Sequence, residues 1–320
     1  MGEAAEVDIW LLNDTGQTVA GELALSLVDP SGRVASVSHY AAPANITNQF
    51  SYLLAEKVAL PAFAAEGKHT IRLELSGRPD VAFNREVWVT RIDIKPAKPL
   101  RIAVSGVAKS FRDRLAALPG VTVEDFTTGG AYTAVIASGL KADEIAKRQV
   151  GDQTGNEATP KKSDKPKLVL GELPPDVLAA VKAGLPLMAV VPEDGLADGV
   201  ARQLADLGLF TYVGQVGNLR APWMGNWNIL RKHALFDGIP SDMAAGVLHQ
   251  VEGQPSNGLI IEGDGIEVVA AYSRDHDRRM GASSFTVKKA GMKALVHRLP
   301  DMAGPLQTRF LINAIGWLAA

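Results

Sequence analysis

Residues 100–126, LRIAVSGVAKSFRDRLAALPGVTVEDF, decide the fold of the larger part of the chain. The apolar runs at 101–106 and 121–126 are typical of buried strands, and the segment 108–118 between them has helical periodicity. A strand, a helix and a second strand in this order predict a parallel βαβ unit.

The alternation of strand-like and helix-like segments continues beyond this unit. Further apolar runs lie at 133–138, 168–170 and 186–191, and helical patterns lie at 174–183 and 196–207. Shorter strands are expected at 246–251, 259–262, 266–272, 284–287 and 292–297, ahead of an amphipathic helix at the C terminus. Together these segments predict an open, doubly wound and largely parallel α/β sheet.

The first hundred residues have a different periodicity. Apolar and polar residues alternate with period two in six short runs, at 6–12, 21–28, 33–39, 46–54, 68–75 and 83–93. This spacing predicts an immunoglobulin-like β-sandwich over residues 1–97, without the Cys-Trp-Cys pattern of antibody domains. Trp10 and Trp88 are expected to be buried, in its core or between the domains, and an aromatic platform for a sugar ring is the alternative. The stiff segment Ile94–Pro99 is interpreted as a linker to a second domain, 98–320.

Composition permits two ordinary globular domains. The chain has 320 residues, of which 47% are hydrophobic and 21% charged. A formal net charge of −2 gives no general attraction to nucleic acid, and no apolar run is long enough to span a bilayer. The absence of cysteine excludes disulfides, thiolate nucleophiles and Cys-ligated zinc.

Residues 141–167 differ from their surroundings, because they are rich in charged residues and poor in apolar ones. Such a segment cannot bury enough apolar surface to offset the entropy lost on ordering. We therefore expect a mobile surface insert between strands, and an arm that contacts a partner chain is the alternative interpretation.

Two motifs in the last third of the chain carry a family resemblance. They are HALFDGIP at 233–240 and RFLINAIGWL at 309–318, with a predicted strand ending in His297 between them. The combination resembles the amidotransferase-like α/β domain at the C terminus of many glycoside hydrolases of family 2, the β-galactosidase-like family. VDIWLLNDTG at 7–16 also resembles the sandwich domains that flank the barrel of that family. The resemblance implies a flavodoxin-like, amidotransferase-like second domain with no catalytic barrel.

The same resemblance implies that any amidotransferase chemistry has been lost. Class I glutamine amidotransferases place a cysteine nucleophile directly after a strand, and the matching strand here is PLMAVV at 186–191. The nucleophile position falls on Val191, which has no nucleophilic chemistry, and Pro192 follows it. His297 would be a relic of the family's catalytic histidine. We therefore nominate no catalytic residues.

Trp223 and Trp227 are candidate glycan contacts, since sugar rings stack on indole. If 224–232 is a helix, their spacing places both indoles on one face, with His233 one turn further on as a hydrogen-bond partner for a hydroxyl. Burial in the core is the alternative, and it is the one that we favour. His297 is a further candidate ligand contact.

The leading functional hypothesis is a non-catalytic C-terminal module of a family 2-like glycoside hydrolase, used for structure, assembly or glycan contact. The alternatives are a stand-alone hydrolase or small-ligand enzyme that uses the crevice at the strand carboxyl ends, and a pure oligomerisation module. Expected partners are carbohydrate, the catalytic domains of the parent chain or a second copy. No cofactor, metal site, nucleic-acid partner or membrane span is expected. If the parent enzyme is exported, the periplasm or the extracellular space is its expected location.

Overall fold

A computed structural model gives the fold and describes residues 5–14, 16–42, 51–139, 171–190, 197–216, 226–249, 251, 258–274, 280–299, 301–302 and 304–320. The chain divides into two compact units, Met1–Arg91 and Ile92–Ala320. Each unit has a hydrophobic core of its own. Within the described part of the chain, no helix combines the length and apolar character needed to cross a membrane.

The described strands of the first unit pair antiparallel. They are β1 (Glu6–Leu12), β2 (Glu22–Val28), β3 (Val34–Ala41), β4 (Ser51–Ala59), β5 (Gly67–Leu75) and β6 (Arg78–Val89). β1 pairs with β4, and a separate sheet has the order β3-β2-β5-β6. Side chains from both sheets, including Ile9 of β1 and Leu25 of β2, share one core cluster. The first unit is therefore a β-rich, two-sheet structure.

Strand alternation decides which tryptophans of this unit are buried. Ile9 and Leu11 of β1 are buried, and Trp10 between them is 52% exposed. Trp10 therefore does not fill the core of this unit, because neighbouring residues of a strand point to opposite faces. Trp88 of β6 is half-buried.

The second unit contains a mixed sheet that joins eleven of the described strands. These are β7 (Leu100–Ser105), β8 (Val121–Asp125), β9 (Ala134–Ser138), β10 (Leu187–Val190), β11 (Thr211–Val216), β12 (Asn226–Leu230), β13 (Met243–Ala244), β14 (Gly258–Glu262), β15 (Ile266–Arg274), β16 (Gly281–Lys289) and β17 (Met292–His297). The helices described are α1 (Lys109–Ala116), α2 (Pro175–Lys182), α3 (Ala197–Asp206) and α4 (Pro305–Ala319).

Parallel and antiparallel strands occupy different parts of this sheet. Five adjacent strands are parallel, in the order β8-β7-β9-β10-β17. Beyond β17 the sheet continues antiparallel through β16, β15, β12 and β13, and β11 pairs with β14. The prediction of a largely parallel sheet is therefore correct for the five strands from β8 to β17 and wrong for the strands beyond β17. β16 and β17 are joined by a turn at Ala290 and Gly291, and so short a connection can join only antiparallel neighbours.

Other predicted elements differ locally. The segment 246–251 is not a strand in its described residues, and His249 lies in a turn there. β11, β12 and β13 were not predicted. The predicted strand at 168–170 and the predicted insert at 141–167 lie outside the described residues.

Helices cover both faces of the sheet. Val177 of α2 and Val200 of α3 belong to the same buried cluster as Phe285 of β16. On the opposite face, the ring of Phe310 in α4 stacks on the ring of His297. The core of the second unit is therefore divided between the two faces.

Two glycines bring the chain together on either side of residues 140–170. A Cβ atom built on Gly139 would lie 2.8 Å from the main-chain carbon of Gly171, and one built on Gly171 would lie 2.3 Å from the carbonyl oxygen of Gly139. Only glycine tolerates such a close approach of two backbones. The described residues on either side of this segment are therefore in close contact.

Candidate functional site

The carboxyl ends of parallel strands are where open α/β sheets usually bind ligands. In this unit Ser138 ends β9, Val190 ends β10 and His297 ends β17, and the three residues are in register. On the other side of β17, Ser284 of β16 is the register partner of His297. Val191, the predicted nucleophile position, follows Val190 directly and lies outside the described residues.

His297 is enclosed at this edge and does not face solvent. Its side chain is 3% exposed, and its ring centroid lies 4.4 Å from that of Phe310, with the two rings inclined by 24°. Ser284 Oγ lies 3.2 Å from His297 Nδ1 and also 3.2 Å from the carbonyl oxygen of Val296. The single hydroxyl hydrogen of Ser284 can be donated to either acceptor.

The electrostatics of His297 follow from its burial. Desolvation lowers the pKa of His297 from 6.5 to about 4, against the opposing effect of the Asp301 carboxylate. His297 Nε2 has no hydrogen-bond partner among the described residues. The imidazole is therefore neutral at physiological pH and held by stacking.

Ser284 and His297 resemble a serine–histidine pair in their spacing alone. Ser284 is fully buried, so a substrate carbonyl could not approach its hydroxyl in this structure. In hydrolases a positioned base takes the serine proton as the hydroxyl attacks, which requires access for the substrate. The described geometry gives these residues a packing role. The sequence analysis did not identify Ser284, because the sequence of a predicted strand does not indicate which distant side chain a buried serine will contact.

Arg298 is a second buried polar residue at this edge that the sequence analysis did not identify. It is 2% exposed, and its main-chain N–H donates to the carbonyl oxygen of Ser283 over 2.9 Å. Ser283 is also fully buried. Burial of an arginine is unusual, and no sequence pattern around position 298 indicates it.

The residues of the HALFDGIP motif form a capped turn after β12. A 3₁₀ turn spans Ala234–Phe236, and His233 Nδ1 accepts a hydrogen bond from the N–H of Leu235 over 3.1 Å. His233 Nε2 lies 3.5 Å from Glu267 Oε2. Gly238 has a φ of 74°, which favours glycine at this position. His233 is thus a capping residue in the described structure.

This turn is held against α4 by the second motif, RFLINAIGWL. Arg309 Nε donates to the carbonyl oxygen of Asp237 over 2.9 Å, and Asn313 Nδ2 donates to the same oxygen over 2.8 Å. Asn313 Nδ2 also donates to the carbonyl oxygen of Leu235 over 3.2 Å. We call residues 233–240 together with Arg309, Phe310 and Asn313 the turn–helix joint.

Aromatic packing and a further histidine complete the turn–helix joint. The rings of Phe236 and Phe310 are stacked with centroids 5.8 Å apart. His249 Nε2 donates to the carbonyl oxygen of Pro240 over 2.8 Å, while its Nδ1 accepts from the N–H of Gly246 over 3.2 Å. Burial lowers the pKa of His249, which favours this neutral form. The two motifs that carry the family resemblance are therefore one structural contact.

Trp227 lies on a strand and not on the predicted helix. It belongs to β12, pairs with Ser273 of β15 and is 43% exposed. The predicted helix over 224–232 is wrong for its described part, and so is the predicted burial of Trp227. Trp223 lies outside the described residues. The structure does not bring Trp227 and His233 together as the helical spacing predicted, because β12 is extended.

A cavity beside α4 was not indicated by the sequence. Its volume is about 260 Å³, and it lies at the amino ends of β7 and β8, beside the turn–helix joint. The residues that line it are Ile94, Lys95, Pro96, Leu100, Leu118, Pro119, Val121, Ala234, Ile312, Asn313, Ile315 and Gly316. The one available signal was Gly316, a glycine in the interior of an otherwise good helix.

In the described part of the chain, no three His, Asp or Glu side chains are grouped as a metal site requires. Asp275, His276 and Asp277, which are adjacent in the sequence, lie outside the described residues.

No protein-family model and no curated protein sequence matches this chain. Among solved structures, the chain is similar to a cold-adapted β-galactosidase from Rahnella sp. R3, with 12% identity and a TM-score of 0.36 over 68% of this chain and 31% of that chain. It is also similar to a cytoplasmic protein from Salmonella typhimurium LT2, with 10% identity and a TM-score of 0.35 over 74% of this chain and 90% of that one. The chain spans about a third of the length of the β-galactosidase. At these TM-scores neither likeness bears on function.

Proposed function

We propose that this chain is a non-catalytic accessory module of a family 2-like glycoside hydrolase, serving structure, assembly or contact with glycan. The observation that carries the proposal is the turn–helix joint. The motif side chains that resemble the family, such as Arg309 and Asn313, donate hydrogen bonds to the main-chain oxygen of Asp237. Residues used in this way stabilise the packing of a helix within a domain.

The finer fold assignments belong to the same proposal. We assign an immunoglobulin-like sandwich to residues 1–97 and a degenerate amidotransferase-like domain to residues 98–320. The antiparallel sheets of the first unit support the first assignment. Numbered along the chain, the five parallel strands of the second unit have the order 2-1-3-4-5, which is the order of flavodoxin-like sheets.

Loss of catalysis in this module is supported by the carboxyl edge. Valine at position 191 cannot act as a nucleophile, and His297 is buried with a lowered pKa. An imidazole enclosed in this way does not reach a substrate to exchange a proton with it. A stand-alone hydrolase would need an accessible nucleophile and base at this edge.

Glycan contact is assigned to Trp227. The side chain of Trp227 on β12 is 43% exposed, and stacking on a sugar ring requires an accessible indole. The expected partners are therefore carbohydrate and the catalytic domains of the parent chain. A second copy of this chain is the remaining partner, and an exported parent would place the module in the periplasm or outside the cell.

The experiment compares Trp227→Ala with Trp10→Ala, a matched change of an exposed strand tryptophan in the first unit. Binding to a panel of β-linked oligosaccharides is measured by isothermal titration calorimetry, and the melting temperature is measured in parallel. We expect Trp227→Ala to abolish sugar binding with little change in melting temperature, and Trp10→Ala to leave binding intact.

Three outcomes would reject parts of the proposal. If the unaltered chain binds no sugar, the assignment of glycan contact to Trp227 is rejected. If light scattering then shows dimers or tetramers, the chain is better described as an oligomerisation module. Turnover of aryl β-glycosides that survives repurification, and that a single Asp or Glu substitution abolishes, would show that the chain is an enzyme.

A further inference from the structure

We propose that the cavity beside α4 binds a small apolar molecule that carries one anionic group, such as an aryl carboxylate. The cavity has a volume of about 260 Å³ and lies wholly within the second unit. An engineered cavity of about 150 Å³ lined by apolar side chains binds benzene, so this one has room for a fused two-ring system. The site is distinct from the carboxyl edge, since Leu100 and Val121 are the first residues of their strands.

The walls of the cavity determine the apolar part of the ligand. Leu118 follows α1, Ile312 and Ile315 lie on α4, and Ile94 and Pro96 lie on the segment before β7. Burying an apolar ring against such aliphatic side chains is favoured by about 25 cal/mol per Å² of surface removed from water. A polar ligand such as a sugar would lose its hydrogen bonds to water here without replacing them.

Gly316 is an exposed residue of α4 that lines the cavity on its solvent side. It lies in α4 with no positive φ, and a Cβ atom added to it would meet nothing within 4 Å. Neither of the usual structural reasons for glycine, an unusual backbone conformation or a close approach, therefore applies at this position. Glycine inside a helix is about 1 kcal/mol less favourable than alanine. Because glycine has no side chain, the space beside α4 at this position stays open.

The polar lining determines the charge of the ligand. Among the lining residues that the structure describes, Lys95 carries the only formal charge, and it is exposed. Both amide hydrogens of Asn313 are already donated to main-chain oxygens of the turn–helix joint. Lys95 is thus the cation that can meet an anionic group while the ring of the ligand lies inside the cavity.

The test uses the full chain, naphthalene-2-carboxylate and its neutral analogue naphthalene-2-carboxamide, titrated by calorimetry. We expect the carboxylate to bind and Gly316→Leu to weaken its binding about tenfold or more, because the added side chain fills the cavity. Lys95→Gln should weaken binding of the carboxylate about fivefold and leave binding of the carboxamide unchanged. Ala179→Leu, at an exposed position of α2, adds the same bulk away from the cavity and should leave both affinities unchanged.

The location of binding is checked by backbone amide shifts in NMR spectra, which should change at 94–96, 118–121 and 312–316. Failure of the carboxylate to bind up to its solubility limit would overturn the proposal. Equal binding to the Gly316→Leu variant would place the ligand elsewhere and overturn it as well. A dimer that Gly316→Leu dissociates would show that a second copy of the chain occupies the cavity. The cavity is not part of the proposed glycan contact, so failure here leaves the test of Trp227 unaffected.

Discussion

At the scale of single residues, His297 shows how burial changes the meaning of a histidine. The sequence placed it at the end of a late strand, where an amidotransferase would have its base. In the structure its ring lies against Phe310, and Ser284 Oγ is its hydrogen-bonding neighbour. Removal from water penalises the imidazolium, so the pKa of His297 falls to about 4. The residue that most resembles a catalytic group is therefore a neutral part of the core.

This burial predicts a definite pH dependence of stability. The pKa of His297 is about 4 in the folded state and near 6.5 when unfolded, so between these values the unfolded chain binds more protons. The free energy of unfolding should therefore fall as the pH decreases from 6.5 to 4, by about 3 kcal/mol from this residue. His297→Phe keeps an aromatic ring beside Phe310 and removes the titrating group.

Urea unfolding at several pH values measures this effect. We expect the free energy of unfolding to depend less steeply on pH for His297→Phe than for the unaltered chain. This comparison of slopes holds even if the two proteins differ in stability at neutral pH. His249 contributes a slope of the same sign and is present in both proteins. Equal slopes in the two proteins would show that His297 is not held neutral by the fold.

At the scale of elements, the turn–helix joint connects segments far apart in the chain. The main-chain oxygens of Leu235 and Asp237, in the turn after β12, accept hydrogen bonds from α4. The donors are Arg309 and Asn313. A buried carbonyl that loses its donor costs about 1–3 kcal/mol. The joint therefore fixes how α4 packs on the sheet, and both motifs are needed for it.

Asn313 provides the prediction at this scale. Asn313→Ala should lower the free energy of unfolding by about 1–2 kcal/mol, because the carbonyl oxygen of Leu235 loses its side-chain donor. Asn313→Asp has nearly the same shape but places a carboxylate against two carbonyl oxygens. At pH 7 it should destabilise the protein more than Asn313→Ala. Chemical denaturation of the two variants and the unaltered chain provides the comparison, and an aspartate variant more stable than the alanine variant would contradict the assigned hydrogen bonds.

At the scale of the whole molecule, the second unit combines a parallel half-sheet with an antiparallel extension. The strands from β11 to β16 lie between β10 and β17 in sequence, yet β10 and β17 are neighbours in the sheet. The antiparallel strands thus form an insertion in an otherwise regular α/β order. Gly139 and Gly171, on either side of residues 140–170, lie close together.

The charge-rich, apolar-poor composition of residues 141–167 predicts that they can be removed. Replacing them by two glycines should leave the melting temperature unchanged or raise it by a few degrees, because a shorter loop loses less entropy on closure. Differential scanning calorimetry measures this, and limited trypsin digestion of the unaltered chain should cut first at the lysines in 141–167. A melting temperature lowered by more than about 5 °C would show that the segment contributes to the core.

Gly171→Ala is the matched variant for this experiment. Its Cβ atom would lie 2.3 Å from the carbonyl oxygen of Gly139, so the two backbones must separate. We expect it to destabilise the protein even though the deletion does not. An alanine without effect would mean that the two ends of the segment are not in contact.

The sequence alone determined the features that depend on neighbouring residues. The period-two pattern of Leu23, Leu25 and Leu27 placed them on one face of β2, and all three are buried. The strand–helix–strand order of residues 100–126 corresponds to β7, α1 and β8. Local periodicity determines such elements because the apolar face of each must be buried whatever covers it.

The tertiary structure alone decided which partner covers each face. An alternating or apolar run does not state which strand lies beside it, so the parallel pairing of β17 with β10, which lies far earlier in the chain, followed only from the tertiary structure. The exposure of Trp227, the burial of His297 and the open space over Gly316 depend on side chains distant in sequence. Burial, pKa and cavity shape are properties of these distant contacts, and a single sequence does not state which contacts form.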